Sequence, residues 1–486
     1  MAIHVDVVVI GAGFAGIGAA YHLQDKCPDH SFVVLEGADT YGGTWRIHSY
    51  PGTRSDSDLH TFGYEFKPWK GTPIAPRQPI LDYLGEVIEE NDLAKYIKYD
   101  HEVTTAAWSS ADAKWTITGT AHGETFEYTA SFLQMCQGYY RQSEGYQPTW
   151  PGMDDFPGEI VHPQTWPDDL DYEGKNVVVI GSGATAATLI PALAPKAEHV
   201  TMLQRSPTYF RARRNKSEMA DTLRSLDIPE EWIHEIERRR MLRDSQTFTD
   251  LCFSNPEAAR EQLYDNIRAH LKPDLHHMIE EHFTPAYLPW RERLALVPDG
   301  DLFHAINDGK ASVVTDHIAR FTDKGIETES GELLEADIIV TATGFNLNVL
   351  GDIAFTIDDE PLAFHDTVTY LGAMFTGIPN MMWTFGYFRA SWTLRVDLLG
   401  RFTGRLLNHM SDTGVSTVVP GLLPEEADME LGPWIDPDNF NPGYVRRGLH
   451  LLPKQGEMPW QHGHTYWNDR TLFDDWDLTD PRLRYA

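Results

Sequence analysis

Cysteine is scarce in this chain of 486 residues: Cys27, Cys136 and Cys252 stand far apart, with no C-x-x-C pair among them. That spacing excludes a disulfide scaffold and a zinc knuckle, argues against a dithiol redox centre, and leaves no metal site to expect. Basic side chains are also in short supply, 40 against 72 acidic ones, for a net charge of −32. Such a surface repels polyanions, so neither nucleic acid nor an anionic membrane is an expected partner. No apolar run is long enough to span a bilayer, and the N-terminus passes directly into a strand pattern, which together give the expectation of a cytoplasmic protein without membrane insertion. Short-period repeats and low-complexity tracts are absent too.

What is present is size, aromatic side chains and glycine in a particular arrangement. A chain of 486 residues is expected to divide into two or more domains. Aromatic residues make up 12%, with 14 Trp, which suits enclosed apolar pockets or flat ligands as well as large cores. Composition leaves a homo-oligomer open.

Residues His4 to Ile10 (HVDVVVI) read as a buried strand, and GAGFAG follows at once with Gly11, Gly13, Ala15 and Gly16, leading into a helical pattern. In G-x-G-x-x-G the first glycine makes the tight turn, the second lets backbone amides approach a pyrophosphate, and the third lets helix and strand pack closely. A second strand, SFVVLE, ends at Glu36, twenty residues after Gly16, where a carboxylate can bond ribose hydroxyls. The pattern recurs. KNVVVI is followed by GSGATA, with Gly181, Ser182, Gly183, Ala184, Thr185 and Ala186, then by a helix interrupted by Pro191. The next strand ends in Gln204, Arg205 and Ser206 instead of an acid. An arginine in that place suits a 2′-phosphate, so NADP is favoured over NAD. Two dinucleotide sites with different ribose preferences point to a flavoprotein reduced by a nicotinamide.

Between the two units, FPGEIVHPQTWP fits F-x-G-x-x-x-H-x-x-x-W-P at Phe156, Gly158, His162, Trp166 and Pro167. At average residue frequencies a chance match is on the order of one in 10^5. The segment resembles the fingerprint of class B flavoprotein monooxygenases, and its Trp-Pro ending resembles the Baeyer–Villiger branch. Gly42-Gly43-Thr44-Trp45 with Tyr50-Pro51-Gly52-Thr53-Arg54-Ser55-Asp56, Ala342-Thr343-Gly344-Phe345, and Pro289-Trp290-Arg291-Glu292-Arg293-Leu294 are similar to further segments of that family. The resemblance runs over essentially the whole chain and is closest to the ethionamide-activating monooxygenase subgroup, which shares blocks such as HPQTWPDDLDY and TMLQRSPTY.

The resemblance implies an α/β fold of two Rossmann-like dinucleotide-binding domains, for FAD and NADP, with a helical insertion. Residues 1–140 and 330–486 are expected to form a discontinuous FAD domain and 141–329 the NADP domain, with the insertion at about 217–282. It implies that NADPH reduces FAD, that O2 adds to give a flavin C4a-peroxide, and that a ketone becomes an ester or lactone, with S-oxygenation alongside. Arg293 is the expected fixed positive charge, since a guanidinium stays protonated and binds two oxygens at once. Asp56 is its expected partner, with Asp58 a nearby alternative. FAD contacts carried over are Gly11, Gly13, Ala15, Gly16, Glu36, Thr44, Trp45, Asp56 and Val103; NADP contacts are Arg54, Ser55, Gly181 to Ala186, Arg205 and Ser206. Phe156, Gly158, His162 and Trp166 are expected to join the domains rather than react. Trp392 and Trp460 suit either a substrate cavity or plain core.

One residue departs from the family pattern. Many relatives carry a lysine before the active-site arginine to hold the 2′-phosphate, and here Glu292 takes that place. The competing readings are a flavin monooxygenase acting mainly on sulfur or nitrogen, a flavin-dependent disulfide reductase, and a non-catalytic FAD protein. The cysteine spacing disfavours the second. The third has no use for Asp56, Arg293 and two glycine turns together.

Overall fold

The computed structural model describes residues 3–463 and 465–486. Val7 to Ile10 are all buried, a run that fits only a strand covered on both faces. That strand, Ile3–Ile10, lies at the centre of a parallel array, with Phe32–Leu35 on one side (Val8 opposite Val33) and Glu124–Met135 on the other (Val8 opposite Leu133). Met381–Trp383 extends the array in parallel beyond Glu124–Met135. An antiparallel meander, His101–Ser109, Lys114–Ala121 and Glu124–Met135, continues the same sheet. The helices Phe14–Lys26 and Leu394–Thr413 cover one face through a core that includes Leu23, Leu398 and Phe402. Trp108, Trp115, Trp383 and Trp434 fill the other.

A second, wholly parallel sheet has the order Ala311–Thr315, His199–Gln204, Asn176–Ile180, Ile338–Thr341, Glu159–Val161. Its helix Ala184–Leu193 follows the second glycine turn. The two sheets bear out the expected α/β architecture, with one correction. Ile338–Thr341 pairs with Asn176–Ile180 and Glu159–Val161, so the return to the first domain falls after Thr341 and not at 330. IIVT is apolar throughout and fits the interior of either sheet, which is why composition did not place it.

The two crossings between domains run side by side. Tyr140–Gly145 leaves the first domain, Phe345–Leu347 re-enters it, and the two pair as an antiparallel ribbon. Within the region expected for the insertion lie the helices Glu218–Ser225, Glu230–Ser254, Pro256–Arg268 and Met278–His282. The longest docks on the first domain, where Arg238 Nη1 donates to the carbonyls of His60 and Gly63 at 3.1 and 2.9 Å. The next docks on the second domain, where the Asn266 amide pairs with both backbone groups of Ala212. No helix of the described residues is long and apolar enough to cross a membrane.

Candidate active site

Gly11 has φ +100°, and a Cβ there would lie 2.8 Å from the Cys136 carbonyl oxygen. A Cβ on Gly16 would lie 1.7 Å from the Gly11 oxygen. Only glycine meets both requirements, so the turn folds tightly over the strand end with its amides outward. Ala15 is buried under it, and the Gly42-Gly43 turn approaches to within 3.5 Å of a Cβ on Gly13. Thr44 and Trp45 open the short helix that follows. Glu36 is buried, accepting from the Ala12 amide at 2.6 Å and the Ala38 amide at 2.9 Å. Burial raises its pKa, and the two amides oppose that rise. Each carboxylate oxygen keeps a second lone pair for a ribose hydroxyl. Val103 is half-buried on the strand that begins at His101, whose amide donates to the Glu36 carbonyl. Beside the glycine turn, both side-chain polar atoms of Gln137 are buried without a hydrogen-bond partner. The cradle and this amide fit the pyrophosphate and adenosine end of FAD.

The second turn repeats the geometry. Gly181 has φ +129°, and a Cβ there would lie 2.4 Å from the Ala342 oxygen. A Cβ on Gly183 would meet nothing within 4 Å, so the turn offers an open backbone face of the kind NADP requires. Ser182 Oγ bonds to Thr208 Oγ1 at 2.8 Å, Ala184 is exposed, Thr185 is half-buried and Ala186 is buried. Arg205 and Ser206 are exposed at the end of the adjacent strand.

The segment Tyr50–Asp56 packs on the helix after the second turn, where a Cβ on Gly52 would lie 2.6 Å from the Ala192 Cβ. Pro191 has no amide hydrogen, so the Ala187 carbonyl lacks its intrahelical donor. Arg54 Nη2 donates to that oxygen at 3.2 Å, and the guanidinium also pairs with Asp301. Arg54 thereby ties the two domains together. Ser55 is buried, and its Oγ accepts from the Ala75 amide. The segment ends at Asp56, whose Oδ2 accepts from Arg293 Nη2 at 2.6 Å. Asp58 instead caps the helix Leu59–Phe62 by accepting from the Thr61 amide.

Around Arg293 stand residues that the sequence did not single out. Tyr139, Tyr140 and Tyr444 all interact with the guanidinium, and burial pushes all three hydroxyls above the ordinary tyrosine range. Tyr139 donates to Tyr140 at 2.8 Å and stacks on Trp392, 6.0 Å between ring centroids. Trp460 is fully buried in the first core, away from this group. The Asp56 charge holds Arg293 above the ordinary arginine range, against the burial that opposes it. The Arg293 side chain is 32% exposed and that of Asp56 38%, so the pair keeps an open face. A tyrosine pair beginning four residues after the strand end at Met135 was the one available signal.

Of the fingerprint segment, His162 and Gln164 pack on the crossing ribbon. His162 Nε2 donates to the Gly344 carbonyl at 3.2 Å, while Nδ1 accepts from the Gln164 amide. Its ring lies on Gly145, where a Cβ would come within 1.9 Å. Gln164 donates to the carbonyls of Arg141 and Gln142. Phe156 is buried in its own small core, Gly158 passes close under the Asp337 carbonyl, and Trp166 packs half-buried on the second core. All three cysteines are free and buried, and burial pushes their thiols up to about 11 for Cys27 and about 12 for Cys136 and Cys252. Dithiol chemistry needs a thiolate, which these sites disfavour.

Comparison with known proteins bears on this arrangement. The model of the flavin-binding monooxygenase-like family matches residues 5–219. The chain is 45% identical over 490 residues to the FAD-containing monooxygenase EthA of Mycobacterium tuberculosis, covering 99% of this chain and 98% of that one. It is 42% identical to the putative FAD-containing monooxygenase MymA of the same organism, again over 99% and 98% of the two chains. Among solved structures, ε-caprolactone-bound cyclohexanone monooxygenase superposes with a TM-score of 0.77, covering 99% of this chain and 100% of that one, at 23% identity.

Proposed function

This chain belongs to the flavin-binding monooxygenase-like family, and we propose that it converts ketones to esters or lactones, with thioether oxygenation as a second activity, using FAD, NADPH and O2. The observation that carries this reading is the Arg293–Asp56 pair at 2.6 Å. It lies at the end of a segment that Arg54 ties to the helix after the second glycine turn. Bound FAD, reduced by the nicotinamide, supplies the activation of O2.

The chain's own residues do the rest. Glu36 takes the ribose of the flavin nucleotide, and the turns at Gly11 and Gly181 receive the two pyrophosphates on backbone amides. Arg293 faces the reacting carbonyl. As its oxygen gains negative charge, a guanidinium that cannot lose its proton stabilises it without reorganising. Asp56 fixes the plane of that guanidinium and leaves further N–H groups for the substrate. Tyr139, Tyr140, Tyr444 and Trp392 shield one side of the pair from water, which strengthens the charge interaction there. His162, bound at both ring nitrogens, holds the crossing ribbon and transfers no proton.

The direct test is product analysis after incubating the FAD-loaded enzyme with NADPH, O2 and, separately, phenylacetone and methyl phenyl sulfide. The expected products are benzyl acetate and the sulfoxide. Sulfoxide without any ester removes the ketone assignment.

A further inference from the structure

Glu292 stands where a basic residue would serve the 2′-phosphate, and Arg54 is occupied by Asp301 and the Ala187 carbonyl. Yet the C-terminal segment 438–446 runs alongside 290–293 almost residue by residue. Arg291 Nη1 donates to the Asp438 carbonyl at 3.1 Å and to Asn439 Oδ1 at 3.3 Å, and the Asn441 amide donates back to the Arg291 carbonyl at 2.9 Å. Tyr444 faces Arg293. The short helix Gly443–Gly448 then brings Arg446 toward Glu292.

We propose that Arg446, a residue of the FAD domain, joins Arg205 of the second domain to bind the 2′-phosphate of NADPH. This rests on the reading of the chain as NADPH-dependent and names the site of that preference. Arg205 and Arg446 are both exposed, and neither side chain makes a hydrogen bond or ion pair among the described residues. The charges of both act on the half-buried Glu292 carboxylate: burial raises its pKa, and Arg446 and then Arg205 oppose that rise. Arg447 anchors the helix: its Nη2 donates to the Phe345 carbonyl at 3.1 Å and its guanidinium lies 3.4 Å from the centre of the Tyr146 ring. Burial lowers the Arg447 pKa, and Arg446 and Arg205 lower it further. Two guanidiniums thus act on one carboxylate, with the Arg447 charge close by, a deficit of negative charge that a phosphate dianion fills with charge-assisted hydrogen bonds. A 2′-hydroxyl brings no such charge. Because Arg446 and Arg205 belong to different domains, the phosphate also links those domains.

The test uses the FAD-loaded enzyme and two fragments, 2′,5′-ADP and 5′-ADP, titrated by calorimetry into wild type, R205A, R446A and R446K. Retained flavin content and visible circular dichroism certify that each variant is folded. Wild type is expected to prefer 2′,5′-ADP. R446A is expected to bind 2′,5′-ADP about 10- to 100-fold more weakly, with 5′-ADP unchanged and a shallower dependence on salt. R446K recovers part of the loss. If R446A binds 2′,5′-ADP as wild type does while R205A does not, the assignment of Arg446 is overturned and the NADPH reading stands. If wild type itself shows no preference between the fragments, the NADPH reading fails and takes this proposal with it.

Discussion

Arg293 and Asp56 are 237 residues apart in sequence and meet at 2.6 Å, joining a segment of the second domain to one of the first. The contact depends on both domains being in place, because Asp56 is delivered by a segment that Arg54 pins to Ala187 and Asp301. The pair is therefore a chemical group and a domain contact at once.

Asp56→Asn keeps the shape of the partner and removes its charge. Arg293 then returns toward the ordinary arginine range, still far above neutrality, so the guanidinium remains charged and loses only orientation. Ester formation is expected to fall about tenfold. The raised Arg293 pKa means its contribution is complete below the ordinary arginine value and lost only above it. Any break in the pH–rate profile between pH 6 and 10 must survive Asp56→Asn; a break that disappears in this variant contradicts the assignment.

The glycine turns make opposite predictions. Gly16→Ala places a methyl 1.7 Å from the Gly11 oxygen, so the first turn opens and the purified protein carries little or no flavin. At Gly183 no atom of the chain lies within 4 Å of the added carbon. Gly183→Ala therefore keeps its flavin and its melting temperature and weakens NADP+ binding, read by calorimetry. A Gly183 variant with normal NADP+ affinity argues against the second turn as the nucleotide site.

Arg54→Ala strips a partner from Asp301 and leaves the Ala187 carbonyl unpaired again behind Pro191. The expected cost is about 2 to 4 kcal/mol of stability, measured by denaturant titration, and the ratio of NADP+ to NAD+ affinity is unchanged. A selective loss of NADP+ would return Arg54 to the phosphate.

Acid should loosen the molecule at its joints. Burial lowers His48 and His234 to about 4, and lowers His162 as well. A histidine depressed in the fold contributes stability that is present above its unfolded value near 6.5 and lost as pH falls through the folded value. The melting temperature is expected to decline from about pH 6.5 toward pH 4, and His234→Gln is expected to flatten that decline. A melting temperature constant across the window contradicts the burial of these rings.

Both glycine turns were legible in the sequence because positive φ and close packing leave no other residue type for Gly11, Gly16 and Gly181. Asp56 and Arg293 were legible only as motif positions, because nothing in their local sequence marks either as part of a charged pair. Tyr139, Tyr140 and Tyr444 were not legible, because what brings Tyr444 to the pair is the path of a segment far along the chain, and no local pattern encodes it. The protein contacts of Arg54 were hidden for a related reason. Asp301 and a carbonyl released by Pro191 become its partners only once the helix Ala184–Leu193 lies beside the Tyr50–Asp56 segment.

The most direct test is Arg293→Ala, assayed for ester yield per NADPH consumed. Losing one charged donor at a developing oxyanion typically removes about 3 kcal/mol or more of transition-state stabilisation. The account predicts that the variant binds FAD, consumes NADPH at a substantial rate and releases hydrogen peroxide, with ester reduced at least about 100-fold. Ester formed from phenylacetone at the wild-type yield per NADPH would contradict it.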